Sequence, residues 1–267
     1  MDLYGVIGYP IKHSLSPVLH NWAFQRVGYK DKIYLAWEVR PENLMDFLNH
    51  LHLFQVKGLS VTIPHKQDLL LFAQKISPLA KDIGAANTLV WKESEWFADN
   101  TDLYGFITPL QNLNLSFQNA LILGAGGASL AVIYGLKSLN LKKIYISNRT
   151  FATAQKLAKR FDLIPVEWER RHSLRPELLI NTTPLGMKGN FEHNSPWENS
   201  FQGIKVVYDL IYNPKETLLL QAAKDSGCLT ISGLDMFVHQ AQKQFELFTG
   251  QIFPTQEALS ALYQHLK

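Results

Sequence analysis

The sequence predicts an α/β fold with mainly parallel sheets. Three observations carry that expectation. Strand-like and helix-like stretches alternate through all 267 residues. A glycine-rich turn, Gly124-Ala125-Gly126-Gly127-Ala128, stands between an apolar strand and a helix. No apolar run approaches the roughly 20 residues that span a bilayer.

The elements follow in order. Leu3–Ile7 reads as a strand, followed by a loop over Gly8–Ser16 and a helix over Pro17–Val27, with Ser16 as the expected N-cap and Pro17 in the first turn. Lys32–Glu38 is strand-like and Glu42–Leu51 helical. Gly58–Ile63 is a strand, and Pro64 is expected to open a helix through about Lys75. Asn87–Trp91 and Trp96–Ala98 flank the polar turn Lys92-Glu93-Ser94-Glu95 and read as a hairpin.

A helix over Leu103–Asn112 leads to the strand Asn119–Leu123, the glycine turn, a helix to about Leu139 and a strand at Lys143–Ser147. Strands are expected at Leu178–Asn181, Val206–Asp209 and Leu229–Ser232, and helices at Met236–Phe248 and Thr255–Leu266. Domain boundaries are placed near Asp102 and Gly233, giving segments 1–102, 103–233 and 234–267.

Composition narrows the function classes. Twenty-six basic against 23 acidic residues give a net charge of +3, too little to argue for nucleic acid. The densest charged cluster, Glu169-Arg170-Arg171-His172, contains its own acid and reads as a solvated loop. The single cysteine, Cys228, excludes a disulfide framework within the chain and argues against a Cys-based metal site. It suits a reducing compartment, and the N-terminus lacks the basic start of a signal peptide, so a cytoplasmic protein is expected with no membrane partner.

The strand, glycine turn, helix and second strand form a mononucleotide-binding unit. Glycine lets the backbone approach a pyrophosphate, and the helix offers free N–H groups and its positive dipole end. The third fingerprint position holds Ser129. At the end of the second strand NAD enzymes carry an acid that accepts from the ribose hydroxyls. Here the chain reads Ser147-Asn148-Arg149-Thr150, and Arg149 can pair with a 2′-phosphate. Such a charged hydrogen bond contributes about 1.5–3 kcal/mol, which favours NADP.

Several further motifs occur in a fixed order: Ser14-Leu15-Ser16-Pro17, Ser60-Val61-Thr62-Ile63-Pro64-His65-Lys66, Gly84-Ala85-Ala86-Asn87-Thr88, Asn100-Thr101-Asp102, Asn181-Thr182-Thr183-Pro184-Leu185-Gly186-Met187, Asp209-Leu210-Ile211-Tyr212-Asn213-Pro214 and the Gly233–Ala241 stretch. With the glycine turn and Asn148-Arg149-Thr150 they cover nearly the whole chain, which resembles the NADP-dependent shikimate dehydrogenase family.

That resemblance implies an N-terminal α/β substrate domain, a Rossmann-like dinucleotide-binding domain, a cleft between them holding the active site, and C-terminal helices returning to the substrate domain. It implies reversible reduction of 3-dehydroshikimate to shikimate with NADPH, a step of aromatic amino acid biosynthesis. Lys66 and Asp102 match the family's catalytic pair. A ketone reduction needs a group that stabilises and protonates the developing alkoxide, which an ammonium can do.

Ser14 and Ser16 match the serines that bind the substrate carboxylate. Thr62, Asn87, Tyr212 and Gln240 match positions that contact the ring. Cofactor contacts are implied for Gly124, Ala125, Gly126, Gly127, Ala128, Asn148, Arg149, Thr150, Thr182 and Met236. Gln244, one helical step of four beyond Gln240, is assigned to the surface. No metal is expected. A homodimer is compatible with the sequence, which says nothing further on assembly.

The chain departs from the family's pattern in places. Ser60 stands where Asn is usual, a shorter group that would reshape one substrate contact. Leu130 and Thr153 stand where basic residues often occur, which leaves the 2′-phosphate mainly to Arg149. Phe248 replaces a usual Trp. Rival readings are a quinate/shikimate dehydrogenase using NAD, a non-catalytic metabolite sensor, and a folate dehydrogenase. Arg149 argues against the first, the presence of Lys66 and Asp102 against the second, and the Ser14–Ser16 pair against the third. No DNA-binding module is expected after Leu266.

Overall fold

The computed structural model describes residues 1–265. The chain divides into two compact units: residues 1–105 with 238–267, and residues 106–237.

In the first unit the elements are β1 (Asp2–Gly8), α1 (Ser16–Val27), β2 (Lys32–Glu38), α2 (Leu44–Asn49), β3 (Val56–Val61), α3 (Leu69–Phe72), β4 (Lys75–Ile76), α4 (Pro78–Ile83), β5 (Thr88–Lys92) and β6 (Glu95–Asp99). They form a sheet of order β2-β1-β3-β5-β6-β4. β1 pairs in parallel with β2 and β3, whereas β5 runs antiparallel to β3 and β6.

Five consecutive buried residues in β1 identify a strand covered on both faces. Ile7, Leu59, Val61, Leu89 and Ala98 pack with Leu44, Leu48 and Leu51. Tyr4 packs against Phe24 and Phe248, each at 5.3 Å between ring centroids. The hairpin turn places Glu93 and Ser94 at φ of 50° and 66°, the conformation that a two-residue connection with the strands' twist requires.

The second unit contains most of α5 (Asp102–Asn112), then β7 (Asn119–Leu123), α6 (Gly127–Lys137), β8 (Lys143–Asn148), α7 (Phe151–Phe161), β9 (Ile164–Glu167), β10 (Leu178–Asn181), β11 (Val206–Asp209), α8 (Leu218–Asp225) and β12 (Leu229–Ile231). All six strands are parallel, in the order β12-β11-β10-β7-β8-β9. This is the Rossmann strand order, with the topological switch between β7 and β10. Ala120 and Ile122 face one core, and Leu121 and Leu123 the other. α9 (Gly233–Thr249) begins in this unit and continues into the first, where α10 (Thr255–His265) follows.

Several expectations need correction. The helix expected from Pro64 through Lys75 reduces to the four residues of α3, because residues 63–68 form turns and Lys75–Ile76 pair in parallel with Phe97–Ala98. Tertiary pairing overrides the local helical pattern there. Ser16 is the first residue of α1 and does not cap it; Leu15 is the N-cap, without a side-chain cap. The Ser14 hydroxyl accepts from the Ser16 N–H instead, at 3.3 Å.

Arg171 is not solvated but 8% exposed, donating to the carbonyls of Trp168 and Pro196 and stacking on the Trp168 ring. The helices α4, α7 and α8 and the strands β4 and β9 add to the elements read from sequence. Leu266, assigned to the last helix, lies outside the described residues.

Candidate active site

The sheet of the first unit gathers chemistry along one edge. β1 and β3 are parallel, so the segments that leave them, beginning at Gly8 and at Thr62, emerge at the same edge. β5 is antiparallel to β3, with Thr88 opposite Ser60, so its N-terminal neighbour Asn87 lies at that edge too. β6 ends there at Asp99, opposite Thr88, and the chain enters α5 at Asp102. Four chain segments distant in sequence thereby present Ser14, Thr62, Lys66, Asn87 and Asp102.

Asp102 is the focus. Lys66 Nζ donates to its Oδ2 at 2.6 Å and Asn87 Nδ2 to its Oδ1 at 2.8 Å. Both charged side chains are partly accessible, Lys66 at 28% and Asp102 at 19%, so an ionic contact here is partly desolvated yet reachable by a ligand. The Ala86 N–H donates to the Lys66 carbonyl, tying the lysine's backbone to the residue before Asn87. Asn100 secures the turn into α5: its side chain accepts from the Asp102 N–H and donates to the Ala85 carbonyl.

Asn87 is 3% exposed. Its oxygen accepts from the Thr101 N–H and the Thr88 hydroxyl, both at 2.8 Å. Its nitrogen lies 3.4 Å from Gln240 Oε1 on α9. The structure thus brings Lys66, Asp102, Asn87 and Gln240 into one hydrogen-bonded cluster.

Ser16 is buried near the Tyr34 phenol, while Ser14 is half-buried. Burial pushes the Tyr34 phenol well above its ordinary titration range. Thr62 is half-buried, and its N–H donates to the Ile7 carbonyl.

Two assignments are revised. Gln244 is not a surface residue: it is 1% exposed, its Oε1 accepts from Ser60 Oγ at 2.7 Å, and its Nε2 donates to the Asn87 carbonyl and to Thr88 Oγ1. Ser60, expected to alter a substrate contact, is buried and takes its place between Tyr34 and Gln244. The signal for Gln244 was present in the sequence. It lies three residues after Ala241, and neighbours at that spacing share a helix face. Phe248 lies beside Gly58, where a Cβ would come within 2.5 Å of its ring.

In the second unit the glycine turn leaves β7 beside the switch point. Gly124 has a φ of +106°, and a Cβ there would come within 2.5 Å of Thr182 Oγ1, so only glycine fits. Thr182 is held by two hydrogen bonds to the Leu123 carbonyl, from its N–H and its hydroxyl. Gly126 caps α6, and a Cβ added at Gly126 or Gly127 would meet nothing within 4 Å.

That open turn at a helix N-terminus fits a pyrophosphate. Asn148 Oδ1 accepts from the Ala125 N–H and its Nδ2 donates to the Thr150 carbonyl, fastening the turn to the end of β8. Arg149 and Thr150 are exposed beside it, and Ala128 is exposed at the start of α6. Ser129, the departure from the fingerprint, is fully buried and donates to the Gly126 carbonyl at 2.6 Å, reinforcing the turn.

Met236 is half-buried on α9, and Tyr212 packs against Phe237 at 5.6 Å between ring centroids. Both belong to the second unit, as do Thr182 and the glycine turn. Among the described residues no group of three or more His, Cys, Asp or Glu is gathered to hold a metal, and no helix is long and apolar enough to cross a membrane.

Residues 6–89 match the shikimate dehydrogenase substrate binding domain, residues 109–177 the shikimate/quinate 5-dehydrogenase domain, and residues 233–263 the shikimate 5′-dehydrogenase C-terminal domain. The chain is 42% identical to the shikimate dehydrogenase (NADP(+)) of Oleidesulfovibrio alaskensis, over 96% of this chain and 93% of the relative. It is 43% identical to the corresponding protein of Pelobacter propionicus, over 95% and 92%.

Among solved structures, the shikimate 5-dehydrogenase of Thermus thermophilus in complex with NADP(H) and shikimate superposes with a TM-score of 0.89. That match is at 32% identity and covers 99% of each chain. The chain belongs to the shikimate dehydrogenase family.

Proposed function

We propose that this protein is an NADP-dependent shikimate dehydrogenase, catalysing the reversible reduction of 3-dehydroshikimate to shikimate in aromatic amino acid biosynthesis. The observation that carries the reading is the cluster in which Lys66 and Asn87 each bind one oxygen of Asp102. Relatives at 42–43% identity bear the same activity in their names.

The chemistry follows from the residues. When bound, NADPH supplies the hydride. As negative charge develops on the substrate oxygen, the Lys66 ammonium stabilises it and donates a proton. Asp102 holds Lys66 in place and hydrogen-bonds the hydroxyl that forms. Ser14 and Ser16 bind the carboxylate. Thr62, Asn87, Gln240 and Tyr212 bind the ring hydroxyls.

The segment 1–102 with the C-terminal helices serves as the substrate domain, and 103–233 as the cofactor domain. The pyrophosphate rests on residues 124–128 at the start of α6. Asn148, Arg149 and Thr150 hold the adenosine end, Arg149 pairing with the 2′-phosphate. Thr182 and Met236 line the cofactor. NADP, an anionic metabolite and a single cysteine all suit the cytoplasm.

Calorimetric titration with shikimate tests the site. Binding is expected to weaken in Ser14→Ala and Asn87→Ala; unchanged affinity in both would remove these assignments. The expected assembly is a homodimer, and a mass of 30.4 kDa by light scattering would overturn it.

A further inference from the structure

A directed chain of buried hydrogen bonds runs behind the Lys66–Asp102 pair. The Tyr34 hydroxyl donates to Ser60 Oγ at 2.5 Å, and Ser60 donates to Gln244 Oε1 at 2.7 Å. Gln244 Nε2 then donates to Thr88 Oγ1 at 3.0 Å and to the Asn87 carbonyl at 3.0 Å. Having accepted from Gln244, the Thr88 hydroxyl donates to Asn87 Oδ1 at 2.8 Å. Asn87 passes its own amide hydrogen to Asp102 Oδ1 at 2.8 Å.

The polarity of this chain matters because the Asn87 amide has two orientations of nearly equal shape. With its NH₂ toward Asp102, every contact pairs a donor with an acceptor. Flipped, its oxygen would face the carboxylate and its NH₂ would face the Thr101 N–H. The fixed Thr101 N–H selects the first orientation, and the Thr88 hydroxyl, a rotor able to donate or accept, reinforces it with a second bond to the same oxygen only while it donates. Gln244 removes that freedom. Its position is 1% exposed, so no bulk solvent competes for these bonds.

We propose that Gln244 is a positioning residue for the reaction. By fixing the direction of the Thr88 hydroxyl, it adds a second donor to the Asn87 oxygen and so tightens the hold of the Asn87 amide group on Asp102. The proposal rests on the reading of Lys66, Asn87 and Asp102 as the reacting site.

The test compares Gln244→Met, which keeps the length, with Thr88→Val, which keeps the branching and removes the hydroxyl. Rates are normalised to the folded fraction by NADPH binding. Each variant is expected to lower kcat/KM for shikimate by about tenfold, with KM for NADP unchanged. Thr88→Ser, which returns the hydroxyl, is expected to restore what Thr88→Val loses. The double variant should be no worse than either single change, because the bonds act in series.

Side-chain amide exchange gives a readout independent of turnover: the Asn87 NH₂ should be protected in the unmodified protein and exchange faster in both variants. Lower thermal stability with unaltered kcat/KM and unaltered Asn87 exchange would overturn the proposal, as would full additivity. Turnover of shikimate by the unmodified protein is measured separately and bears on the functional reading alone. If Gln244→Met fails to fold, Thr88→Val still decides between these outcomes.

Discussion

The Lys66 ammonium meets the Asp102 carboxylate at 2.6 Å, and Asn87 occupies the carboxylate's other oxygen. Asp102 thus keeps neither oxygen without a donor, while the lysine retains access for a ligand at 28% exposure. This arrangement suits a lysine that is oriented by its partner and still able to serve the substrate.

Replacing Lys66 by Ala is therefore expected to lower kcat by about 10²–10⁴-fold, the usual contribution of a positioned acid. KM for shikimate should change little. Steady-state kinetics check this, and normal turnover by the variant would remove Lys66 from the chemistry.

Arg149 is exposed at the end of β8, beside the turn that Asn148 fastens. Arg149→Ala is expected to raise KM for NADP by about 10–100-fold while leaving KM for NAD near its original value. Equal effects on both cofactors would show that Arg149 does not read the 2′-phosphate.

Gly124 combines a φ of +106° with a Cβ position only 2.5 Å from Thr182 Oγ1. Gly124→Ala should lower stability by about 1–3 kcal/mol through backbone strain and weaken NADP binding by shifting the turn. Denaturant unfolding and cofactor titration measure the two effects. An unchanged midpoint with unchanged affinity would contradict the close packing.

His20 is fully buried and stacked on Tyr34 at 4.3 Å between ring centroids. Burial lowers its pKa from 6.5 to about 3. Between these values the unfolded chain takes up a proton that the folded protein refuses, so stability falls as pH drops through that window. The slope approaches about 1.4 kcal/mol per pH unit.

Asp209 acts in the opposite sense. Burial raises its carboxyl from 3.8 to about 6, so the folded protein takes up its proton first as pH falls between those values. His20→Phe keeps an aromatic ring and removes the histidine's titration. Its stability relative to the original protein should improve steadily from pH 6.5 downward, as chemical unfolding at several pH values would reveal. A constant difference would mean that His20 is not held neutral.

The fold was readable because two signals were local. Apolar strands alternate with helices, and Gly124–Gly127 can be recognised from composition and position alone. β7, β10 and β11 have the bounds expected from sequence because their apolar runs end at polar or glycine residues. The helix expected after Pro64 failed because pairing of Lys75–Ile76 with β6 depends on residues some twenty positions away. Ser16 has the chemistry of a cap, but it is buried as the first residue of α1, with its N–H on the Ser14 hydroxyl.

Gln244 shows the same limit within the site. Helical spacing related it to Gln240, but glutamine's usual place on a surface obscured its burial. Its partners Ser60 and Thr88 come from two paired strands, an arrangement visible only after folding.

The most direct measurement follows reduced nicotinamide absorbance with purified protein, offering shikimate or quinate with NADP or NAD. Fast turnover with shikimate and NADP, and much slower turnover in the other three combinations, is the predicted result. No turnover with shikimate and either cofactor, although both ligands bind, would contradict the assignment of a dehydrogenase.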